Sequence, residues 1–355
     1  MKKRVKMIDV ARRAGVSQTT VSLVLNNVTG VRIPDATRRH VIETAQQLGY
    51  SPGPLLHELA KDGVPIVGVL INEISSAYPI DIIDGLHVTA RSAAMQLAVF
   101  VTDGVIEREE EALQSLTRLG VRHVVYANTF TAAVHPAAGL DGFRHVYVNC
   151  FRRDGAGTAI IPGERAAGFA AAQYLVQTGC RRLATITGDA WHSSAQRRLS
   201  GFRRGVRSAG LTLDPAMVIH GDWGHELGHR AMTELLAREI PPDGVFCQND
   251  MLARGALVAI AEAGLRVPQD VAILGMDDRE FARHHGLSTM LLPHASMAER
   301  ALDILLGDRP PDPPQIISVR CPLIPRATTA QPERPAGRKT DQPSRGSASP
   351  LASKA

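Results

Sequence analysis

The sequence predicts an all-α helix-turn-helix headpiece followed by an α/β body of two lobes, each a parallel sheet with helices on both faces. Three observations carry this prediction. The first fifty residues hold three short helical patterns with a Gly-containing turn between two of them. From residue 63 onward, apolar and often β-branched runs alternate with amphipathic stretches. Charge is concentrated at the start: residues 1–50 carry nine Lys/Arg against three Asp/Glu, a net of +6, while the whole 355-residue chain sums to +5. A basic segment on a near-neutral body points to a polyanionic partner held at one end, or to a solvated basic face.

The first helical pattern is Met7–Ala14, with apolar positions at helical spacing. Gly15-Val16-Ser17 interrupts it, Gly15 being free to take a positive φ and Ser17 suited to an N-cap. A second helix follows from Gln18 to about Leu25, with Val21, Val24 and Leu25 on one face. The third runs from about Pro34 to Leu48 and stops at Gly49. Two helices joined by a short turn and propped by a third make a helix-turn-helix. Residues 51–62 read as a linker with a helical turn or two.

In the body, strand-like runs occur at Ile66–Ile71, Leu97–Val101, His123–Tyr126, Val146–Val148, Leu183–Ile186, Gly244–Cys247 and Val271–Leu274. Helical stretches lie between most of them: Ile80–Met95, Glu107–Leu119, Glu164–Gln177, Ala195–Ala209, His225–Arg238 and Met251–Ala263. Such alternation predicts parallel sheets. The strands divide near residue 161, giving a first lobe of about 63–161 plus 293–320 and a second of about 162–290 plus 321–330. Residues 331–355, rich in Pro, Ser, Gly and Lys, are expected to be disordered.

Four widely spaced cysteines, each in or beside an apolar stretch, suggest reduced, buried thiols. The N-terminus has no apolar leader and no run reaches bilayer-spanning length, so a cytoplasmic chain with no membrane role is expected.

The segments VKMIDVARRAGVSQTTVSLVLNN and TRRHVIETAQQLGYSP closely resemble the headpiece of LacI/GalR-type bacterial transcription regulators. The likeness runs on to about residue 330 through GCRRLATITG, RRLSGFRRGVRSAGL, GDWGHELGHRAM, DGVFCQNDMLARGALVAIAEAGLRVPQDVAILGMDD and LSTM. It implies a sensor like periplasmic sugar-binding proteins, a homodimer on a near-palindromic DNA operator, and a small-molecule effector, sugar or related metabolite. No cofactor is implied.

A recognition helix places its N-terminal residues on base edges in the major groove. Here it would present Gln18, Thr19 and Ser22, with Leu23 one turn further on. Gln can read adenine, and Thr or Leu can pack on a thymine methyl. The family usually has Arg where Leu23 stands, so the resemblance implies an operator read differently at that base. Lys6 and Arg32 are candidate phosphate contacts, as are Lys2, Lys3, Arg4 and Arg38. Leu59 aligns with the family's minor-groove wedge, although Gly53-Pro54 departs from the usual hinge.

The resemblance places an effector between the lobes, at the carboxyl ends of the strands. Arg198, Trp223, Asn249 and Asp277 match positions that commonly line that cleft: a fork of donors, an apolar plate and two polar groups near strand ends. The alternative, less favoured for the set as a whole, is that Asn249 and Asp277 are helix caps, Arg198 a surface ion pair and Trp223 a core residue. In the first lobe Ser75, Tyr78 and Asn149 are the cleft candidates. Asn149 stands where many sugar-sensing members have Asp, and Leu291-Leu292 lies in the region of a frequent polar residue.

Two other readings compete. His225-Glu226-Leu227-Gly228-His229 fits the H-E-x-x-H zinc-hydrolase pattern, though a glycine sits inside it and no third ligand motif follows. A solute-binding protein without a DNA role would keep the two lobes but leaves the basic helix-turn-helix unexplained.

Overall fold

The computed structural model describes residues 7–25, 33–48, 65–74, 81–307, 311 and 313–329. Lys6, Arg32, Leu59, Ser75 and Tyr78 lie outside them, as do the linker and the tail.

Three helices form the headpiece: α1 (Met7–Ala14), α2 (Gln18–Leu25) and α3 (Asp35–Gln47). Gly15 takes φ +67° between the first two, and the Ser17 hydroxyl accepts the Thr20 backbone N–H at 3.0 Å, capping α2. Val10, Ala11 and Ala14 of α1, Val21 and Val24 of α2, and Val41 and Ala45 of α3 close into one small core. Small side chains on α1 are what let the helices approach within so short a segment.

The body contains two six-stranded sheets. The first has the order β11-β5-β4-β3-β1-β2, built from β1 (Ile66–Ile71), β2 (Gln96–Val101), β3 (His123–Val134), β4 (Arg144–Arg152), β5 (Ala159–Pro162) and β11 (Ile316–Val319). The second has the order β12-β10-β9-β8-β6-β7, from β6 (Leu183–Thr187), β7 (Val218–His220), β8 (Gly244–Cys247), β9 (Ala272–Asp277), β10 (Ser288–Leu291) and β12 (Leu323–Ile324). Every pairing is parallel except that of β10 with β12. The chain passes between the sheets after β5, after β10 and after β11.

Strands β1, β5, β6 and β8 are buried along their whole length, because helices cover both faces. In the first lobe α4 (Asp81–Ser92) and α11 (His294–Leu306) pack on one face, while α5 (Ile106–Arg118) covers the other. In the second lobe α8 (His225–Leu236) and α9 (Asp250–Glu262) lie on one face, and α6 (Glu164–Gln177) and α7 (Ser193–Ser208) on the other. The short α10 (Glu280–His284) follows β9.

Helix α6 meets α7 through reciprocal glycines. A Cβ on Gly168 would sit 2.0 Å from the Arg198 carbonyl, and one on Gly201 would sit 2.0 Å from that of Arg165. This contact holds the first turns of α7, and Arg198 with them, close to the start of α6.

The seven strand-like runs of the sequence all lie in strands, some shifted by a residue. Strands β5, β7, β10, β11 and β12 are additional, and so are α10 and α11. These five strands are two to four residues long, which leaves little length for a hydrophobic period to register. All four cysteines are free and buried. Among the described residues no helix is long and apolar enough to cross a membrane.

Candidate functional site

On the headpiece, Gln18 and Thr19 are exposed at the first turn of α2, while Ser22 and Leu23 are half-buried further along it. Val21 and Val24 on the opposite face anchor α2 in the core, so its first turn is presented outward on a fixed support.

The second candidate site is a cleft of about 620 Å³, mouth included, where the two sheets' carboxyl ends face each other. It gathers Arg198, Trp223, Asn249, Asp277 and Asn149 from the sequence candidates. Residues not anticipated from sequence complete it: Thr129, Phe130, Thr131, Glu164, Arg279 and His294 supply most of the remaining lining.

The second lobe contributes several chain segments that brace one another. Trp223, in the β7–α8 connection, lies flat against Gly188, where any Cβ would fall 2.0 Å from the indole. Its Nε1 donates to His192 Nδ1 at 2.9 Å, and its backbone carbonyl accepts Asn249 Nδ2 at 3.0 Å. Because an indole N–H can only donate, His192 Nδ1 must accept and the ring carries its proton on Nε2. Burial accordingly holds the His192 pKa below the usual imidazole value, despite Asp189 nearby. Trp191 packs against His192 with centroids 3.8 Å apart and ring planes tilted by 34°, and Phe130 of the first lobe meets His192 edge-on at 4.6 Å.

Asn249 is both lining and cap: its Oδ1 accepts the Leu252 N–H at 2.7 Å and starts α9. Asp277 ends β9 at φ +126°, with its Oδ2 3.3 Å from Arg279 Nε. Behind it the wholly buried Asp250 accepts from Thr289 Oγ1 at 2.7 Å and from the Arg279 backbone N–H at 2.8 Å. Burial first, then the neighbouring Asp277, pushes the Asp250 carboxyl upward.

Arg198 is buried, not a surface ion pair. One of its terminal nitrogens donates to Glu164 Oε1 at 3.0 Å, the other to the Gln248 carbonyl, and its guanidinium lies 5.6 Å from the Trp223 ring centre. The first lobe reaches the cleft chiefly through the end of β3, where pairing with β4 shifts between Ala127 and Ala132. Thr131 Oγ1 donates to Asn149 Oδ1 at 2.8 Å, and Asn149 Nδ2 donates to the Asn128 carbonyl at 3.0 Å, which fixes Asn149 at φ +57°.

The H-E-x-x-H pattern has a packing explanation. Gly228 sits where a Cβ would lie 2.1 Å from the Leu252 carbonyl, letting α8 press on α9. His229 Nε2 pairs with Glu262 Oε2 across that contact at 2.7 Å, while His225 and Glu226 are exposed.

Residues 6–53 match the family model described as bacterial regulatory proteins, lacI family, and residues 172–329 match a periplasmic binding protein-like domain. Over 332 residues the chain is 31% identical to the HTH-type transcriptional repressor PurR of Escherichia coli O1:K1 / APEC, covering 91% of this chain and 96% of that one. The chain belongs to the LacI family of bacterial regulatory proteins. Two solved LacI-type structures are similar over nearly their whole length. A CelR–cellobiose complex has 26% identity and a TM-score of 0.62, covering 92% of this chain and 100% of that one. The Lac repressor dimer bound to operator and the anti-inducer ONPF shares the fold, with 23% identity, a TM-score of 0.65 and coverage of 93% and 100%. This LacI-family chain is a ligand-responsive, DNA-binding transcriptional regulator, and the relatives it matches are regulators and not enzymes.

Proposed function

We propose that the chain is a repressor that binds a pseudopalindromic operator as a homodimer in the cytoplasm, with a small polar, sugar-like effector held between the lobes. The supporting observation is the cleft itself. Trp223 and Phe130 offer apolar plates from opposite lobes, and polar side chains held by internal hydrogen bonds line the space between. Relatives carry names that tie them to operator DNA and to a disaccharide. Gln18, Thr19, Ser22 and Leu23 read bases, Lys6 and Arg32 contact phosphates, and Leu59 enters the minor groove. Two headpieces give the interface that one cannot. Effector binding changes DNA affinity to the extent that it favours one arrangement of the lobes over another. Ser75 and Tyr78 join Asn149 on the first-lobe side, and residues 225–229 carry no chemistry.

Fluorescence anisotropy of the full-length protein on DNA from its own promoter region tests this. Binding should weaken steeply with salt, as phosphate contacts require. Gln18→Ala with Thr19→Ala should abolish sequence preference while leaving effector binding intact. Leu23→Arg should alter the preferred base at one symmetric position, by about 1–3 kcal/mol. Protein that never distinguishes promoter DNA from random DNA would contradict the proposal.

A further inference from the structure

Four formally charged side chains line the cleft, and they form two opposite pairs: Glu164 with Arg198, and Asp277 with Arg279. The first pair is the deeper one. Glu164 is 2% exposed and Arg198 5%, and the two side chains meet directly at 3.0 Å; burial pushes the Glu164 carboxyl upward, and the Arg198 guanidinium opposes that by favouring the carboxylate. Glu164 is the opening residue of α6, directly after the chain leaves β5 for the second lobe. Gly163 precedes it without a side-chain cap, so an acid in this first turn suits the helix dipole, and its carboxylate is in addition turned onto Arg198. The Arg198 guanidinium is the obvious partner for an acidic ligand, since its fork matches carboxylates and other oxyanions. Here both terminal nitrogens of that fork already donate, one to Glu164 and the other to the Gln248 carbonyl.

We propose that Glu164 is a specificity-determining residue: an internal counter-ion that occupies Arg198 and restricts the cleft to uncharged polar effectors. This rests on the reading of the cleft as the effector site. An anionic effector would have to displace Glu164 from Arg198, leaving a buried carboxylate without its cation, or else share the arginine with a like charge at contact distance. A neutral hydroxylated compound meets neither obstacle. It can accept from the guanidinium hydrogens that remain and lie against Trp223, which already faces the same arginine.

Removing the carboxylate should therefore turn the cleft into an oxyanion site. Thermal unfolding of full-length wild type, Glu164→Gln and the double variant Glu164→Gln/Arg198→Gln is followed in millimolar sodium sulfate, with ionic strength held constant by sodium chloride. Sulfate should raise the melting temperature of Glu164→Gln by about 3 °C, leaving the wild type and the double variant unmoved. Should Glu164→Gln be unfolded without sulfate, sulfate should restore its native circular dichroism. A wild type that responds as strongly as Glu164→Gln overturns the proposal. So does a Glu164→Gln protein that ignores sulfate, or a double variant that still responds. The cleft reading is judged separately: it fails if Trp223→Ala leaves effector binding unchanged, whatever sulfate does.

Discussion

The two walls of the cleft reach it by different routes. The second lobe supplies Arg198, Trp223, Asn249 and Asp277 from separate segments that hydrogen-bond or stack on one another, whereas the first lobe relies on the run Asn128–Thr131 and on Asn149 beneath it. Trp223 alone touches Gly188, His192, Arg198 and Asn249. On the first-lobe side, Thr129 accepts a hydrogen bond from Asn72 and donates one to Glu73, and Thr131 is held by Asn149, so that wall is tied mainly to its own sheet. The ring contact of Phe130 with His192 spans the two. A wall cross-braced among several segments keeps its geometry through domain movement; a wall made of one strand extension moves as a unit with its sheet.

That contrast is best broken at Arg198. Arg198→Ala strands the buried Glu164 carboxylate and should cost about 3–5 kcal/mol in urea unfolding. Asn149→Ala removes two neutral hydrogen bonds and should cost about 1–3 kcal/mol. Equal losses would show that the walls are braced alike. Next comes Gly188→Ala, which pushes the indole off the second-lobe wall. Effector affinity should fall by about 2 kcal/mol, roughly thirtyfold, with the far-ultraviolet spectrum and effector-free DNA binding unchanged. Phe130→Ala, which removes the opposite plate, should cost about 1 kcal/mol of effector affinity, read by titration calorimetry.

The smallest effect concerns His192. Its folded pKa lies below the unfolded value of 6.5, so the folded state binds its proton less readily. This contribution to stability is therefore present above pH 6.5 and is lost as pH falls from there through the lowered folded pKa. Wild type should show that added acid sensitivity relative to His192→Gln in a pH series of melting temperatures; parallel curves would remove His192 from the bracing network.

The same contrast governs what the sequence made legible. Asn249 and Asp277 close short apolar runs, and Trp223 sits in a Gly-Asp-Trp-Gly turn, so second-lobe positions stand out as polar or aromatic residues where strands stop. Phe130 and Thr131 do not, because β3 runs on to Val134 past a register shift that breaks the period-two pattern. In the sequence Glu164 is only the first residue of the helical stretch Glu164–Gln177, and its 3.0 Å approach to Arg198 is what reveals the pairing. Gly188 gave no signal at all, since its role depends on a ring thirty-five residues away. For the fold, the buried strands β1, β6 and β8 were readable from their continuous apolar runs. The short strands β5, β7, β10, β11 and β12 and the helix α11 were not, being defined by what they pack against.

The chain has two tryptophans, Trp191 and Trp223, and both contact His192 beside the cleft. Intrinsic fluorescence therefore reports on the site directly. Titrating uncharged and anionic metabolites while recording emission and promoter-DNA anisotropy on the same full-length sample is the most direct test. An effector site between the lobes requires that an uncharged compound change both signals with one dissociation constant, and that Trp223→Ala lose the coupled response. A compound that alters DNA affinity without changing the emission, and still does so in Trp223→Ala, would contradict it.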